Sequence, residues 1–345
     1  MSTAPPRTIP KSLILVLATL ACFMVILDTT IVNVAIEDIR KNLGASLSGL
    51  QWVIDGYGLT FAAFLLSAGA LADRVGPRRA FTWGLILFSL ASLACGLAPN
   101  LTTLVIARGA QGAGAALLIP TSLSLISRTF TERSERAQAL AIWGGIGGGL
   151  AMVAGPLFGG ILTQALGWRS VFLINVPVGV VTLALMSRIG RDEISSEKRG
   201  IDLGGQLLAI LSLSAATFFF IEGPSIGWGS PSTLVAGVLA LVGGFAFLTV
   251  ERRSQEPMLP LILFRIRDFS LASATGFALN FAFYGQLFFL NVYLQKGLGL
   301  SPAEAGLRFL PETAGALLFA TVVNRAFRKV PPRNIVIVGT AISAV

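Results

Sequence analysis

Gly69–Arg79 reads GALADRVGPRR, a charged break between two long apolar stretches. Gly76 and Pro77 are the residues of a tight reversal, because glycine accepts positive φ and proline presets φ near −65°. Asp73, Arg74, Arg78 and Arg79 can exchange charge-assisted hydrogen bonds with each other or with a neighbouring helix end. Such a connector suits a helix hairpin in lipid, where irregular backbone is confined to the aqueous ends because the bilayer offers no partner for an unpaired peptide group.

The rest of the chain agrees with that reading. Its 345 residues are 54% hydrophobic and 12% charged, with a mean hydropathy of +0.78, outside the range of soluble domains. Stretches of about 20 residues, enough to cross a bilayer, are expected at 13–36, 52–72, 80–98, 102–126, 139–163, 170–187, 203–222, 233–250, 270–293 and 305–323. An eleventh begins at Ile335 and stops at Val345, so the chain is expected to be truncated within that span. The first stretch is far longer than the roughly 7–15-residue apolar region of a signal peptide and contains Asp28, so it is expected to remain as a span. The fold class is all-α, a polytopic membrane protein.

The net charge of +9 is a topology signal. Twenty of the 26 Lys and Arg residues lie in alternate connections beginning with the N-terminus, and four (Arg40, Lys41, Arg169 and Lys296) lie in the opposite set. Basic residues accumulate on the cytoplasmic side, so the N-terminus is expected in the cytoplasm and no nucleic-acid partner is needed. Cys22 and Cys95 fall inside spans and imply no disulfide framework. The chain has no histidine, which leaves carboxylates to carry any proton relay. No nucleophile–base pair or metal constellation points to an enzyme, a metal or a bound cofactor.

Those carboxylates sit within the spans. Asp28 lies in LDTTIVNVAI (Leu27–Ile36), about 22 Å from the inner end of span one, and Asp55 in QWVIDGYGLTFA, near the outer end of span two. Arg108 stands about 9 Å below the outer end of span four, in LVIARGAQGAGAA with Gln111 and Gly112, and Glu312 lies about 10 Å into span ten. A charge at the bilayer centre costs roughly 2.5–3.5 kcal/mol or more, so Arg108 is expected to pair with a carboxylate, and the four groups are expected to share one cavity. Glu222 ends its span and is expected to be solvated. Span nine carries Phe277, Phe281, Phe283, Tyr284, Phe288 and Phe289, which either line an apolar site or face lipid. Span five, GGIGGGLAMVAGPLFGG (Gly144–Gly160), concentrates residues that weaken a helix, about 1 kcal/mol for each glycine against alanine and about 3 for proline. Close helix approach and a local kink at Gly155, Pro156, Gly159 and Gly160 are what that composition would serve.

Several of these runs resemble family motifs. Gly69–Arg79 resembles the signature loop of the major facilitator superfamily, G-x-L-x-D-R-x-G-R-[KR]-[KR], with Pro77 in place of the first expected basic residue. Arg108, Gln111 and Gly112 resemble its R-x-x-Q-G proton-coupling motif. Gly155, Pro156, Gly159 and Gly160 resemble GP-x-x-GG, the motif that marks its exporters. LD-x-T-x-x-N-x-A in span one resembles the fourteen-span drug:proton antiporters, with Glu37 where that family usually has proline, and GWRSVFLINVPVG (Gly167–Gly179) resembles the start of their span six. The resemblance implies a major facilitator fold with a six-helix N-terminal bundle (1–188), a cytoplasmic linker (189–202), an inserted two-span hairpin (203–250) and an incomplete C-terminal bundle (251–345).

It further implies a monomeric multidrug efflux antiporter of the cytoplasmic membrane, driven by the proton gradient and exporting hydrophobic small molecules. Asp28 and Arg108 would couple protons. Asp55, Glu312 and Gln111 would contribute to substrate binding or coupling. Gly69, Asp73, Arg74, Gly76, Arg78 and Arg79 would act with the span-five motif in gating. The alternatives are a proton-coupled importer and a non-transporting membrane component; substrate identity is not legible. The charge asymmetry predicts that a cysteine placed at Ser195 resists an impermeant maleimide applied to intact cells. Labelling from outside would invert the topology.

Overall fold

The computed structural model describes residues 10–188, 202–254 and 257–312, with isolated positions 315, 330, 334 and 338–339. Helix is the only regular structure among them. Four long helices come first: α1 (Lys11–Leu43), α2 (Leu47–Val75), α3 (Pro77–Gly96) and α4 (Leu101–Thr129). The fifth span is composite, running without a break through α5 (Arg133–Ile142), a wider π-type stretch (Trp143–Leu150) and α6 (Ala151–Leu166). α7 (Ser170–Leu173) and α8 (Asn175–Met186) follow, then α9 (Leu203–Ile226), α10 (Pro231–Arg253) and α11 (Arg267–Val292), the last continuing into a second π-type turn, Tyr293–Gly297. α12 occupies 302–312. Among the described residues seven helices are long and apolar enough to cross a membrane, and α2, which bends by 53° between Leu47–Leu65 and Ser67–Val75, raises the number to eight.

The boundaries follow local chemistry. Gly44 ends α1 at a φ of 62°, and the Ser46 hydroxyl accepts from the Gly49 N–H at 3.1 Å to start α2. Gly76 ends α2 at a φ of 92°, a conformation that favours glycine, and Pro77 opens α3, where its missing N–H costs nothing. In span five the irregularity falls at Trp143–Leu150, ahead of Pro156, which lies within α6. Five of those eight residues are glycine, which gives the backbone the freedom to widen a turn.

α1 is the central post. Two thirds (67%) of its most apolar window is buried against 17% for α10 and α11. Small residues let the neighbours approach, as is usual where lipid removes the hydrophobic drive between helices. Gly155 and Gly159 of α6 lie directly on α1; a Cβ at Gly155 would overlap Thr30, and one at Gly159 would come within 2.9 Å of the Ile31 carbonyl. A Cβ at Gly112 of α4 would overlap the Tyr57 carbonyl of α2, and one at Gly114 would come within 2.6 Å of the Phe88 nitrogen of α3. The side chains between these helices form two buried layers, one around Ile31, Val53 and Phe172 and one around Met24, Leu85 and Phe88.

α9 and α10 pack on each other, with the Ser212 hydroxyl donating to the Ala240 carbonyl at 2.8 Å. α9 also lies on α2, where the Gln206 amide donates to the Ala63 carbonyl at 2.9 Å and accepts from the Ser67 hydroxyl. Glu222 is not the solvated helix end expected above. Its carboxylate accepts from the Trp52 indole N–H at 2.8 Å and from Ser225 at 2.9 Å, because a half-buried indole needs an acceptor. Most of the expected linker, most of span ten beyond 312 and most of the eleventh span lie outside the described residues.

The α1–α6 contact predicts the effect of bulk. Gly155→Leu should cost about 1–3 kcal/mol through overpacking, read as a lower thermal midpoint of the detergent-solubilised protein. An unchanged midpoint would show that α1 and α6 do not approach this closely.

Candidate functional site

Arg108, 1% exposed, points from α4 into the centre of the first six spans. Its guanidinium donates from Nη1 to Asp28 of α1 and to the Gln111 side-chain oxygen at 2.9 Å, and from Nε to the Val53 carbonyl of α2 at 2.9 Å. The Tyr57 ring faces it, with a Cζ-to-centroid distance of 4.2 Å. Asp28 is fully buried. Besides Arg108, its carboxylate accepts from the Gln111 amide at 2.8 Å and from the Asn175 amide of α8 at 3.1 Å. Both amides also donate to the Ser92 hydroxyl of α3 at 3.1 Å, and that hydroxyl donates to the Phe172 carbonyl of α7 at 2.8 Å. One dry network therefore ties α1, α2, α3, α4 and the α7–α8 pair together. A buried ion pair holds only when the remaining donors and acceptors are also matched, and here the amides of Gln111 and Asn175 complete the shell.

A separate cleft of about 640 Å³ lies between α1, α2 and α11. Thr29 and Asn33 line it from α1, Gln51 and Asp55 from α2, and Asn280 with Phe277, Phe281, Tyr284, Phe288 and Phe289 from α11. The expectation of one shared cavity is corrected here. Asp55 lines the cleft, whereas Asp28, Arg108 and Gln111 are sealed behind it and Glu312, half-buried at the end of the described part of α12, is not on its wall. Helical periodicity is the reason. Thr29 and Asn33, four residues apart, share the face of α1 turned to the cleft, and Asp28 is rotated by about 100° from Thr29. Five of the six span-nine aromatics line the cleft; Phe283 instead packs with Leu287 and Phe309.

The remaining motif residues fall into two places. In the quoted loop, Arg78 donates to the Met186 carbonyl of α8 at 3.5 Å. Asp73 is half-buried, Arg74 and Arg79 are exposed, and Gly69 faces open space. In span five, Gly155 and Gly159 meet α1 as described, while a Cβ at Gly160 would come within 2.6 Å of the Pro302 carbonyl and one at Gly306 would overlap the Pro156 carbonyl. The glycine motif thus faces α1 on one side and α12 on the other.

Sequence reasoning missed several members. Tyr57 and Asn175 stand inside quoted motifs and could have been found as polar groups buried in a span. Ser92 carries no such signal. Glu37 was noticed only as a departure from pattern, yet it is 6% exposed and accepts from the Arg40 Nε at 2.8 Å. Asn291 and Gln295, also overlooked, reach across from the end of α11 to α1.

Comparison with known proteins adds the lineage. Residues 18–345 match the Major Facilitator Superfamily model. The multidrug resistance protein Stp of Mycobacterium tuberculosis is 41% identical over 95% of this chain and 61% of its own length. The methylenomycin A resistance protein of Streptomyces coelicolor is 39% identical over 95% of this chain and 68% of its own length, and the puromycin resistance protein pur8 of Streptomyces alboniger is 40% identical over 96% and 65%. Among solved structures, the inward-facing, unoccupied bacterial homologue of the human lysosomal transporter Spinster superposes with a TM-score of 0.59 at 22% identity, covering 94% of this chain and 64% of that one; that likeness concerns the fold. The chain belongs to the Major Facilitator Superfamily and is a multi-pass membrane protein of all-helical fold. It spans 61% of the length of Stp.

The network predicts strongly non-additive stability. Asp28→Asn leaves the Arg108 charge buried without its counter-charge and should cost about 3–5 kcal/mol, and pairing it with Arg108→Gln should restore most of that loss. Arg108→Lys should fall between, because one ammonium cannot match a planar fork that serves Asp28, Gln111 and Val53 at once. Thermal midpoints of the purified proteins test this, and full additivity would mean the two charges do not depend on each other.

Proposed function

We propose that this chain works in a proton-coupled antiporter that exports hydrophobic small molecules, cations among them, across the cytoplasmic membrane. The observation that carries the reading is the sealed Asp28–Arg108–Gln111 network set directly behind a cleft walled by aromatic rings and one carboxylate, Asp55. Two acidic groups in such different surroundings suit two tasks. Asp55 offers its charge to the cleft, where a lipophilic cation would find aromatic faces beside a counter-charge. Asp28 is neutralised inside the protein and would answer to protons.

In this cycle an outward-open state lets a proton from outside reach Asp28. Protonation removes the counter-charge of Arg108 and leaves only the Gln111 oxygen, the Val53 carbonyl and the Tyr57 ring to hold the guanidinium, which raises the free energy of this arrangement. The α1–α4 contact would then relax, and the equilibrium between inward- and outward-open arrangements would shift by the differential affinity of the two states for the proton. Gln111 positions the carboxylate throughout. Glu312, off the cleft wall, would contribute only in another arrangement of the spans.

The wider architecture belongs to the same proposal. Residues 1–188 would be the first bundle with its N-terminus in the cytoplasm, 189–202 the linker, 203–250 a hairpin inserted into the superfamily plan, and 251–345 part of the second bundle, in a protein that acts as a monomer. The loop residues Gly69, Asp73, Arg74, Gly76, Arg78 and Arg79 would make and break contacts at the inner ends. Gly155, Pro156, Gly159 and Gly160, pressed between α1 and α12, would limit leak between the bundles and favour export over uptake, and the names of the relatives, resistance proteins for two different antibiotics or for many drugs, support that direction.

Proton-gradient-driven efflux from intact cells, or uptake into everted vesicles, tests the assignment. Asp28→Asn, inserted at normal levels, should abolish transport of every substrate, whereas Asp55→Asn should mainly weaken that of multiply charged ones. Parental efflux by Asp28→Asn would remove Asp28 from the coupling step.

A further inference from the structure

Two carboxyl groups outside the Asp28 network meet where α9 begins and α10 ends. Asp202 caps α9, its Oδ1 accepting from the Gly205 N–H at 2.7 Å. Glu251, in the last turn of α10 and only 3% exposed, accepts from the Leu259 N–H at 3.1 Å through Oε2. The other oxygen of each, Asp202 Oδ2 and Glu251 Oε1, is buried and has no hydrogen-bond partner. Both face the same spot, since a Cβ at Gly205 would lie 3.0 Å from each. No cation among the described residues offsets them. Asp202 is the charged group set against Glu251, and Arg252 and Arg253 of α10 are exposed. The stretches packed here from α2 (63–67) and from the connector toward α11 (257–264) contain no ionisable side chain.

Ionised carboxylate oxygens can only accept, so two of them buried around one spot are both unmatched and repel each other. A single hydrogen between them satisfies both, as it does in other paired carboxyls. We propose that Asp202 and Glu251 bind one proton in common, and that the resulting carboxyl–carboxylate hydrogen bond clasps the two ends of the hairpin to the connector that runs on to α11. The site does not rest on the antiport reading, because neither group belongs to the Asp28 network or lines the cleft. Its surroundings give the proton a structural effect. Gln206, next to Gly205, donates to the Ala63 carbonyl of α2, and Met258, next to Leu259, accepts from the Ser67 hydroxyl of α2 at 3.5 Å. The start of α9, the end of α10, the connector and α2 are thus fastened within a few residues of the shared proton. Its loss sets two like charges against each other in a buried place and loosens the connector to α11, the helix whose rings wall the cleft. The pH at that end of the hairpin therefore sets how firmly α11 is tethered to α2.

Thermal midpoints of the detergent-solubilised protein, followed from about pH 5 to about pH 9, test the site without any transported substrate. Folding brings the two oxygens together, so the native state holds a proton that the unfolded chain, with its carboxyls apart, gives up at neutral pH. Stability from the pair is then present where the proton is held and lost as pH rises. Glu251→Gln replaces the shared hydrogen with an amide N–H that does not titrate, and its oxygen can still accept from Leu259. Its midpoint should equal the parental one at the acid end and exceed it at the alkaline end, the gap widening by about 2 °C for each pH unit beyond release of the proton. Asp202→Asn, which keeps an oxygen for the cap, should behave alike and serves if Glu251→Gln fails to insert. The double variant sets two N–H donors against each other and should melt below either single variant throughout. A difference between parental and single variants that stays constant with pH would overturn the shared proton. So would an alkaline parental midpoint restored by sodium or magnesium ions, which would make the pair a metal site.

Discussion

The buried pair of Arg108 and Asp28 constrains everything around it. A guanidinium with 1% exposure and a carboxylate with none can persist in a membrane interior only when each is the other's counter-charge and every remaining donor and acceptor is matched. Meeting that condition recruits Val53, Tyr57, Ser92, Gln111, Phe172 and Asn175 from the surrounding helices. The small residues of α4 follow from the same demand, since Gly112 and Gly114 bring the Tyr57 and Phe88 backbones close enough to enclose the network.

This arrangement divides α1 into faces with different duties. One face carries Asp28 into the sealed network. Another presents Thr29 and Asn33 to the cleft, a third receives Gly155 and Gly159 of α6, and the far end offers carbonyls and Glu37 to α11. A central helix with contacts on all sides is positioned to transmit a change at one face to the others. On the proposed cycle, proton loading at Asp28 and substrate at Asp55 would act on helices that share this post, which is a physical route for coupling that needs no direct contact between proton and substrate.

Some of the fold and the site was legible in advance, for identifiable reasons. Span positions followed from length and hydropathy: 80–98 and 233–250 differ from Pro77–Gly96 and Pro231–Arg253 by only a few residues at each end, because a bilayer demands a minimum apolar length. The turn at Gly76 and Pro77 followed from backbone chemistry. Polar residues that lack a charge were harder to read. Ser92, Asn291 and Gln295 are common residue types whose importance comes only from what they face, and Glu222, set at the end of an apolar run, looked solvated until the fold put Trp52 against it.

The sequence by itself determined that an arginine in span four needed an acidic partner and that only carboxylates could serve a proton relay, since cost and residue type are local properties. The family resemblance pointed to Asp28 for proton coupling, but residue counting alone did not say which of Asp28, Asp55 and Glu312 pairs with Arg108, because it placed all three at comparable depths. Depth along a helix is a one-dimensional quantity, whereas pairing depends on the rotation of each helix about its axis and on which helices are neighbours. The tertiary structure decided both, turning Asp28 inward to Arg108 and Asp55 toward the aromatic cleft, because packing α4 against α2 and α3 through glycine fixes those rotations together.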